Sequence, residues 1–152
     1  MRLDTILTPA RTLCRAPASS KKRVLENIAQ FICQDLTGFD PNVLFANLVA
    51  RERLGSTGLG QGIAIPHCRL KDLDRVVGSL ITLEQPIDFE AIDDKPVDIL
   101  FVLIVPEQAT QEHLNTLAAL AELFNQNEFC ERLRAAESAA ALYDAAVTYS
   151  AS

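Results

Sequence analysis

Val97-Asp98-Ile99-Leu100-Phe101-Val102-Leu103-Ile104-Val105 is a nearly continuous apolar run. Its uninterrupted part, Ile99 to Val105, has strand length and falls well short of the ~20 residues needed to span a bilayer. A strand with no polar alternation is covered on both faces, so the run predicts the central strand of a sheet with helices on either side. Upstream, Val76 to Leu83 reads as a second strand, with Pro86 to Lys95 as a polar connection between the two. Further back, Ile63-Ala64-Ile65 reads as a short strand end, because Pro66 biases the residue before it toward an extended backbone. His67 is then the outlet of that strand.

Helical patterns flank these strands. Ser19 or Ser20 is a candidate cap for a helix with Val24, Leu25, Ile28, Phe31 and Ile32 on one face, ended by Thr37-Gly38. Asp40-Pro41 reads as an N-cap with proline at the first helical position, and Val43, Leu44, Leu48 and Val49 carry that helix to about Arg51 or Arg53. Thr110 opens a helix with Leu114, Leu117, Ala118, Ala121 and Phe124 at helical spacing. Asn127 and Ser138 are expected to cap two more, which bury Phe129, Cys130 and Leu133, and Leu142 and Ala146. Residues 1–18 suggest a helical turn and an edge strand. The expectation is an α/β layer fold, a small mixed sheet between helices, in one domain over residues 1–152.

The 152 residues carry twenty Asp and Glu against fourteen Lys and Arg, a formal charge of −6. An acidic balance argues against a general nucleic-acid binder, which needs a basic face, and against docking on anionic lipid. No signal-peptide core is visible, and no membrane insertion is expected. Cys14, Cys33, Cys68 and Cys130 are scattered without metal or redox spacing, which fits a reducing cytoplasm.

Gly55-Ser56-Thr57-Gly58-Leu59-Gly60-Gln61-Gly62 precedes the apolar run to His67. A P-loop requires Lys-Ser/Thr after its last glycine, and Gly60 is followed by Gln61-Gly62. The dinucleotide fingerprint lacks its third glycine, and the stretch leads into a strand rather than from strand to helix. What remains is a backbone-rich platform on which an imidazole can meet a bulky anion, which points to phosphate chemistry. The only other histidine, His113, lies in the first helical turn after the central strand. Both sit near carboxyl ends of strands and are expected to face one crevice. There the helix N-terminus favours a neutral His113 that donates one N–H. Arg51 would supply a permanent cation with a bidentate fork. Ser56, Thr57 and Gly58 would add hydroxyl and N–H groups to a phosphate cradle. By residue type alone these histidines are as readily solvated residues, and Arg51 a solvated helix end. A metal held by His67, Cys68 and His113 is disfavoured, because adjacent residues seldom ligate one ion and no carboxylate stands at ligand spacing. No metal and no cofactor are expected.

The block from Arg51 to His67 resembles the active-site signature of bacterial phosphotransferase-system IIA domains of the mannitol/fructose class, and most nearly their nitrogen-regulatory branch. The likeness continues through Phe89-Glu90-Ala91-Ile92-Asp93, Pro96-Val97-Asp98, Val105-Pro106, His113-Leu114 and Arg132-Leu133-Arg134-Ala135-Ala136, covering most of the chain. It departs at Cys68, where many members have glycine, and at Arg69, where lysine is common. The thiol raises the question of an oxidation-sensitive site. The resemblance implies a mixed sheet flanked by helices, phosphorylation of His67, and Arg51 and His113 flanking the phosphoryl group. It implies an HPr-like, nitrogen-type phosphocarrier protein as donor, and regulatory targets that respond to phosphorylation state. The alternative it leaves open is a free-standing fructose or mannitol IIA component passing phosphate to a IIB domain.

Overall fold

The computed structural model describes residues 2–108 and 110–149, so the two ends of the expected domain, at 1 and 150–152, lie outside the described residues. Two short 3-10 turns lead into β1 (Thr12–Ala16), followed by α1 (Lys21–Asp35) and α2 (Pro41–Glu52). Three short strands come next: β2 (Gly58–Gly60), β3 (Ile63–Ala64) and β4 (His67–Leu70). The long strands β5 (Val77–Ile87) and β6 (Val97–Pro106) precede α3 (Gln111–Phe124), α4 (Asn127–Ala135) and α5 (Ala139–Thr148).

The sheet runs in the order β1-β5-β6-β3-β2, and β4 also pairs with β6. Strands β5 and β6 are antiparallel, whereas β1 on β5, and β3 and β4 on β6, are parallel, so the sheet is mixed as expected. Residues Ile99 to Ile104 of β6 are essentially inaccessible. Leu100, Val102 and Ile104 pack toward α1 and α2, while Ile99, Phe101 and Leu103 pack toward α3, α4 and α5. Two cores, one on each side of the sheet, thus follow from the alternation of side chains along a single apolar strand.

The helix starts obey local rules. Ser20 Oγ accepts from the Arg23 N–H at 3.2 Å, and Asp40 accepts from Asn42 at 2.9 Å ahead of Pro41. Ser138 caps α5 by accepting from the Ala141 N–H. Several expectations need correction. The cap of α4 is Gln126, and Asn127 is already helical. On α3 the buried residues are Leu120 and Phe124, while Leu114 and Ala118 face solvent, because the first turns of α3 border an open cleft rather than the sheet. Phe31 is only half-buried. Strand β5 continues through Pro86 to Ile87, which pairs with Val97 after a register irregularity; a bulge tolerates the proline. The glycine stretch is not a free loop either. Gly58 to Gly60 forms an edge strand on β3, and a side chain at Gly58 would meet the Ala91 backbone at 2.8 Å. Glycine permits this close approach.

Candidate functional site

His67 follows the short strand β3, which ends at Ala64, and itself begins β4. β3 and β4 pair in succession along the same edge of β6, interrupted by Ile65 and Pro66. Pro66 has no N–H for the ladder, yet its carbonyl accepts from Leu103 at 2.9 Å, so the chain stays on β6 through the interruption. His67 is thereby set in register with Leu103 at the start of β4.

The imidazole has a defined hydrogen-bonding pattern. Its Nδ1 lies 2.8 Å from the Ile65 carbonyl oxygen. A carbonyl only accepts, so Nδ1 carries the proton and Nε2 presents its lone pair. Arg51, in the last turn of α2, donates from Nε to that Nε2 at 3.2 Å and from Nη1 to the Gly55 carbonyl at 2.8 Å. Burial is the main influence holding the His67 pKa below its ordinary 6.5, and the Arg51 charge adds to it; the Ile65 carbonyl and Glu52 act the other way. The ring is accordingly neutral at neutral pH.

His113 lines the same cleft, whose volume is about 740 Å³. Its Nδ1 accepts the Thr110 backbone N–H at 2.8 Å, closing a capping box at the start of α3. The remaining proton is on Nε2, so His113 is a donor held by the helix start. Arg69, Lys71 and Glu107 stand at the cleft with Val43, Leu54 and Leu114, and these three apolar side chains are all exposed. His67, Arg51 and His113 are therefore brought together.

Ser56, Thr57 and Gly58 are not. The Ser56 hydroxyl donates to the Phe89 carbonyl at 2.7 Å and accepts from the Gly58 N–H at 3.0 Å. The Thr57 N–H and hydroxyl both donate to the Glu52 carboxylate. None of the three lines the cleft. Glu52 itself was invisible as anything but part of a solvated helix end, yet its side chain is 5% exposed and pairs with Lys21 Nζ at 3.0 Å. The only sequence signal was its place beside Arg51; Lys21 lies far away on α1 and carried none.

Cys68 packs into the core against α1 and α2, and burial pushes its thiol up to about 12. A thiolate is the reactive form, and burial disfavours it here, although Cys68 also borders the cleft. Among the described residues no group of three or more His, Cys, Asp or Glu side chains is arranged to hold a metal. No helix there is long and apolar enough to cross a membrane.

Comparison with known proteins gives concordant matches. The family described as phosphoenolpyruvate-dependent sugar phosphotransferase system, EIIA 2, matches residues 5–146. A nitrogen regulatory protein of Pseudomonas aeruginosa is 51% identical over 147 residues, covering 97% of this chain and 96% of its own. One from Escherichia coli is 44% identical over 144 residues, covering 94% and 88%. The crystal structure of nitrogen regulatory protein IIA-Ntr from Neisseria meningitidis matches with a TM-score of 0.87 at 38% identity, over 95% of this chain and 98% of that one.

Proposed function

Since the chain belongs to the phosphotransferase-system EIIA 2 family, we propose that His67 accepts a phosphoryl group on Nε2 from a phosphohistidine of an HPr-like, nitrogen-type carrier. We place this activity in the cytoplasm, in a protein whose partners respond to its phosphorylation state. The observation that carries the reading is the hydrogen-bond pattern of His67: the backbone holds Nδ1–H and leaves Nε2 as the nucleophile.

The step is an in-line displacement between two nitrogens. The Nε2 lone pair forms the new N–P bond as the donor's N–P bond breaks, and the donor imidazole retains that electron pair. The Nδ1 proton stays where it is, so the phosphorylated ring gains positive charge, and the Ile65 carbonyl faces that proton. Positioning and charge stabilisation supply most of the catalysis in such transfers. Arg51 would exchange its contact with Nε2 for the phosphoryl oxygens, and His113 Nε2–H would donate to another. Ser56, Thr57 and Gly58 brace the segment after α2 and act on phosphate only through it. No metal is called for, because the donor's N–P bond is already activated.

The second reading, transfer onward to a sugar-specific IIB domain, draws on the sugar specificity in the family's description. Phosphoenolpyruvate and the carrier cascade are expected to add one acid-labile phosphate to the parent protein and none to His67→Ala. Label retained by folded His67→Ala overturns the acceptor assignment. Rapid discharge onto a sugar-specific IIB protein decides for the second reading.

A further inference from the structure

Glu52 is the last residue of α2, directly after Arg51, and its side chain is nearly inaccessible. A carboxylate there is doubly disfavoured: burial strips its water, and a helix C-terminus carries partial negative charge. Three donors compensate. Lys21 Nζ lies at 3.0 Å, the Thr57 N–H at 3.1 Å, and the Thr57 hydroxyl donates to the other oxygen. Lys21 also lies over the Phe89 ring, 4.6 Å from its centroid, and Ser56 donates to the Phe89 carbonyl. The segment from Gly55 to Thr57 is thus tied to the end of α2 and to the connection after β5, and through Glu52 to α1. That segment presents the Gly55 carbonyl to Arg51 Nη1.

We propose that Glu52 is a positioning residue for phosphoryl transfer: its carboxylate fixes the Gly55–Thr57 segment, and through the Gly55 carbonyl it aims Arg51 at Nε2 of His67. This rests on the reading of His67 as acceptor. A carboxylate serving the fold alone would need no connection to the guanidinium, and this one is linked to it through a short segment with a defined hydrogen bond at each end. The charged groups around His67 are Arg51 and Glu52 from α2, Arg69 and Lys71 from β4 and the turn after it, Glu107, and His113 from α3. Those around Glu52 are Lys21 and Lys22 from α1, Arg53 and Glu90. Of these charges Arg51 lowers and Glu52 raises the His67 pKa, so the carboxylate also offsets the guanidinium at the ring.

The test compares Glu52→Gln, Glu52→Ala and Thr57→Val, alone and with Arg51→Ala, in the full-length protein. Single-turnover transfer from the phosphorylated carrier, the NMR titration of His67 and thermal unfolding are read for each. In Glu52→Gln the amide retains an acceptor but no charge, so His67 is expected to titrate at lower pH than in the parent. Glu52→Ala should slow transfer about tenfold and Thr57→Val less, while in the Arg51→Ala background Glu52→Ala should add little, as expected of coupled residues. Parental rates in folded Glu52→Ala or Thr57→Val overturn the proposal, as does the full loss repeated without Arg51 or an unmoved His67 titration in Glu52→Gln. If Glu52→Ala does not fold, Glu52→Gln and Thr57→Val decide. A parent protein that takes up no phosphate refutes the acceptor reading, whereas a competent parent with indifferent Glu52 variants refutes only this inference.

Discussion

Arg51 Nε donates to Nε2 of His67 at 3.2 Å, so the lone pair that the backbone leaves free is already occupied by the cation beside it. The resting site is a closed pair. If His67 is the acceptor proposed above, an arriving phosphoryl group would displace that hydrogen bond, and the guanidinium that loses its nitrogen partner would gain anionic oxygens instead. Nη1 has an anchor on the Gly55 carbonyl, which lets the head pivot without leaving the cleft.

Arg51→Ala is therefore expected to slow phosphoryl transfer while leaving the fold intact. Loss of one preorganised donor commonly costs ~3 kcal/mol of transition-state stabilisation, or about a hundredfold in rate. Arg51→Lys should also be impaired, because an ammonium does not reproduce a planar fork that serves Gly55 and His67 together. Single-turnover transfer with purified phosphorylated carrier measures both. Parental rates in either folded variant remove Arg51 from the mechanism.

The depressed His67 pKa gives a pH signature with a definite sign. Between the folded pKa and 6.5, the unfolded chain binds more protons at this position than the native protein does. Stability contributed through His67 hence rises with pH across that window, is fully regained above 6.5 and is lost as pH falls toward the folded value. The acid limb of the transfer rate should likewise fall below pH 6.5. Thermal unfolding of the parent and of His67→Gln across pH 5 to 8 should show the parent losing ground on the acid side. A His67 resonance that titrates at or above 6.5 contradicts this.

The central strand was legible because one property, apolarity on both faces, dominates it from Ile99 to Ile104. The caps at Ser20, Asp40 and Ser138 were legible for a similar reason, since each rests on a local hydrogen bond. His67, Arg51 and His113 could be grouped because the ends of strands and helices collect at one side of a sheet. The role of Ser56, Thr57 and Gly58 was not legible. Phe89 and Ala91, which meet Ser56 and Gly58, arrive only by a chain reversal some thirty residues on, and the Glu52 carboxylate that takes Thr57 is close in sequence but reads as a solvated helix end. Leu114 misled for the opposite reason: its helical spacing is regular, but at that turn there is no sheet beneath the helix.

Gly58→Ala separates a cradle from a brace. The added Cβ would lie 2.8 Å from the Ala91 Cα, so backbone has to move, and such overpacking typically costs ~1–3 kcal/mol. Ser56→Ala leaves the Phe89 carbonyl without its donor and should destabilise by about 1 kcal/mol. Both variants are expected to lose melting temperature and to transfer phosphate far better than Arg51→Ala. A stable Ser56→Ala protein with transfer as poor as Arg51→Ala would return Ser56 to the phosphate.

Phosphorylation at His67 should switch partner binding through the rim of the cleft. Val43, Leu54 and Leu114 are exposed around it, with Leu54 84% accessible, and such a rim would suit a partner's apolar surface. A phosphoryl group on His67 would bring roughly two negative charges to the base of that cleft, on a protein whose formal charge is already −6. A partner that seats apolar or acidic side chains there loses affinity, while one that offers arginine gains contacts. A difference of ~1.4 kcal/mol between the two states suffices for a tenfold preference. Binding measured with unmodified protein, phosphorylated protein and His67→Ala should group the variant with the unmodified form. Leu54→Asp should weaken the partners that prefer that form. Equal affinities in both states, for every partner recovered, contradict the switch.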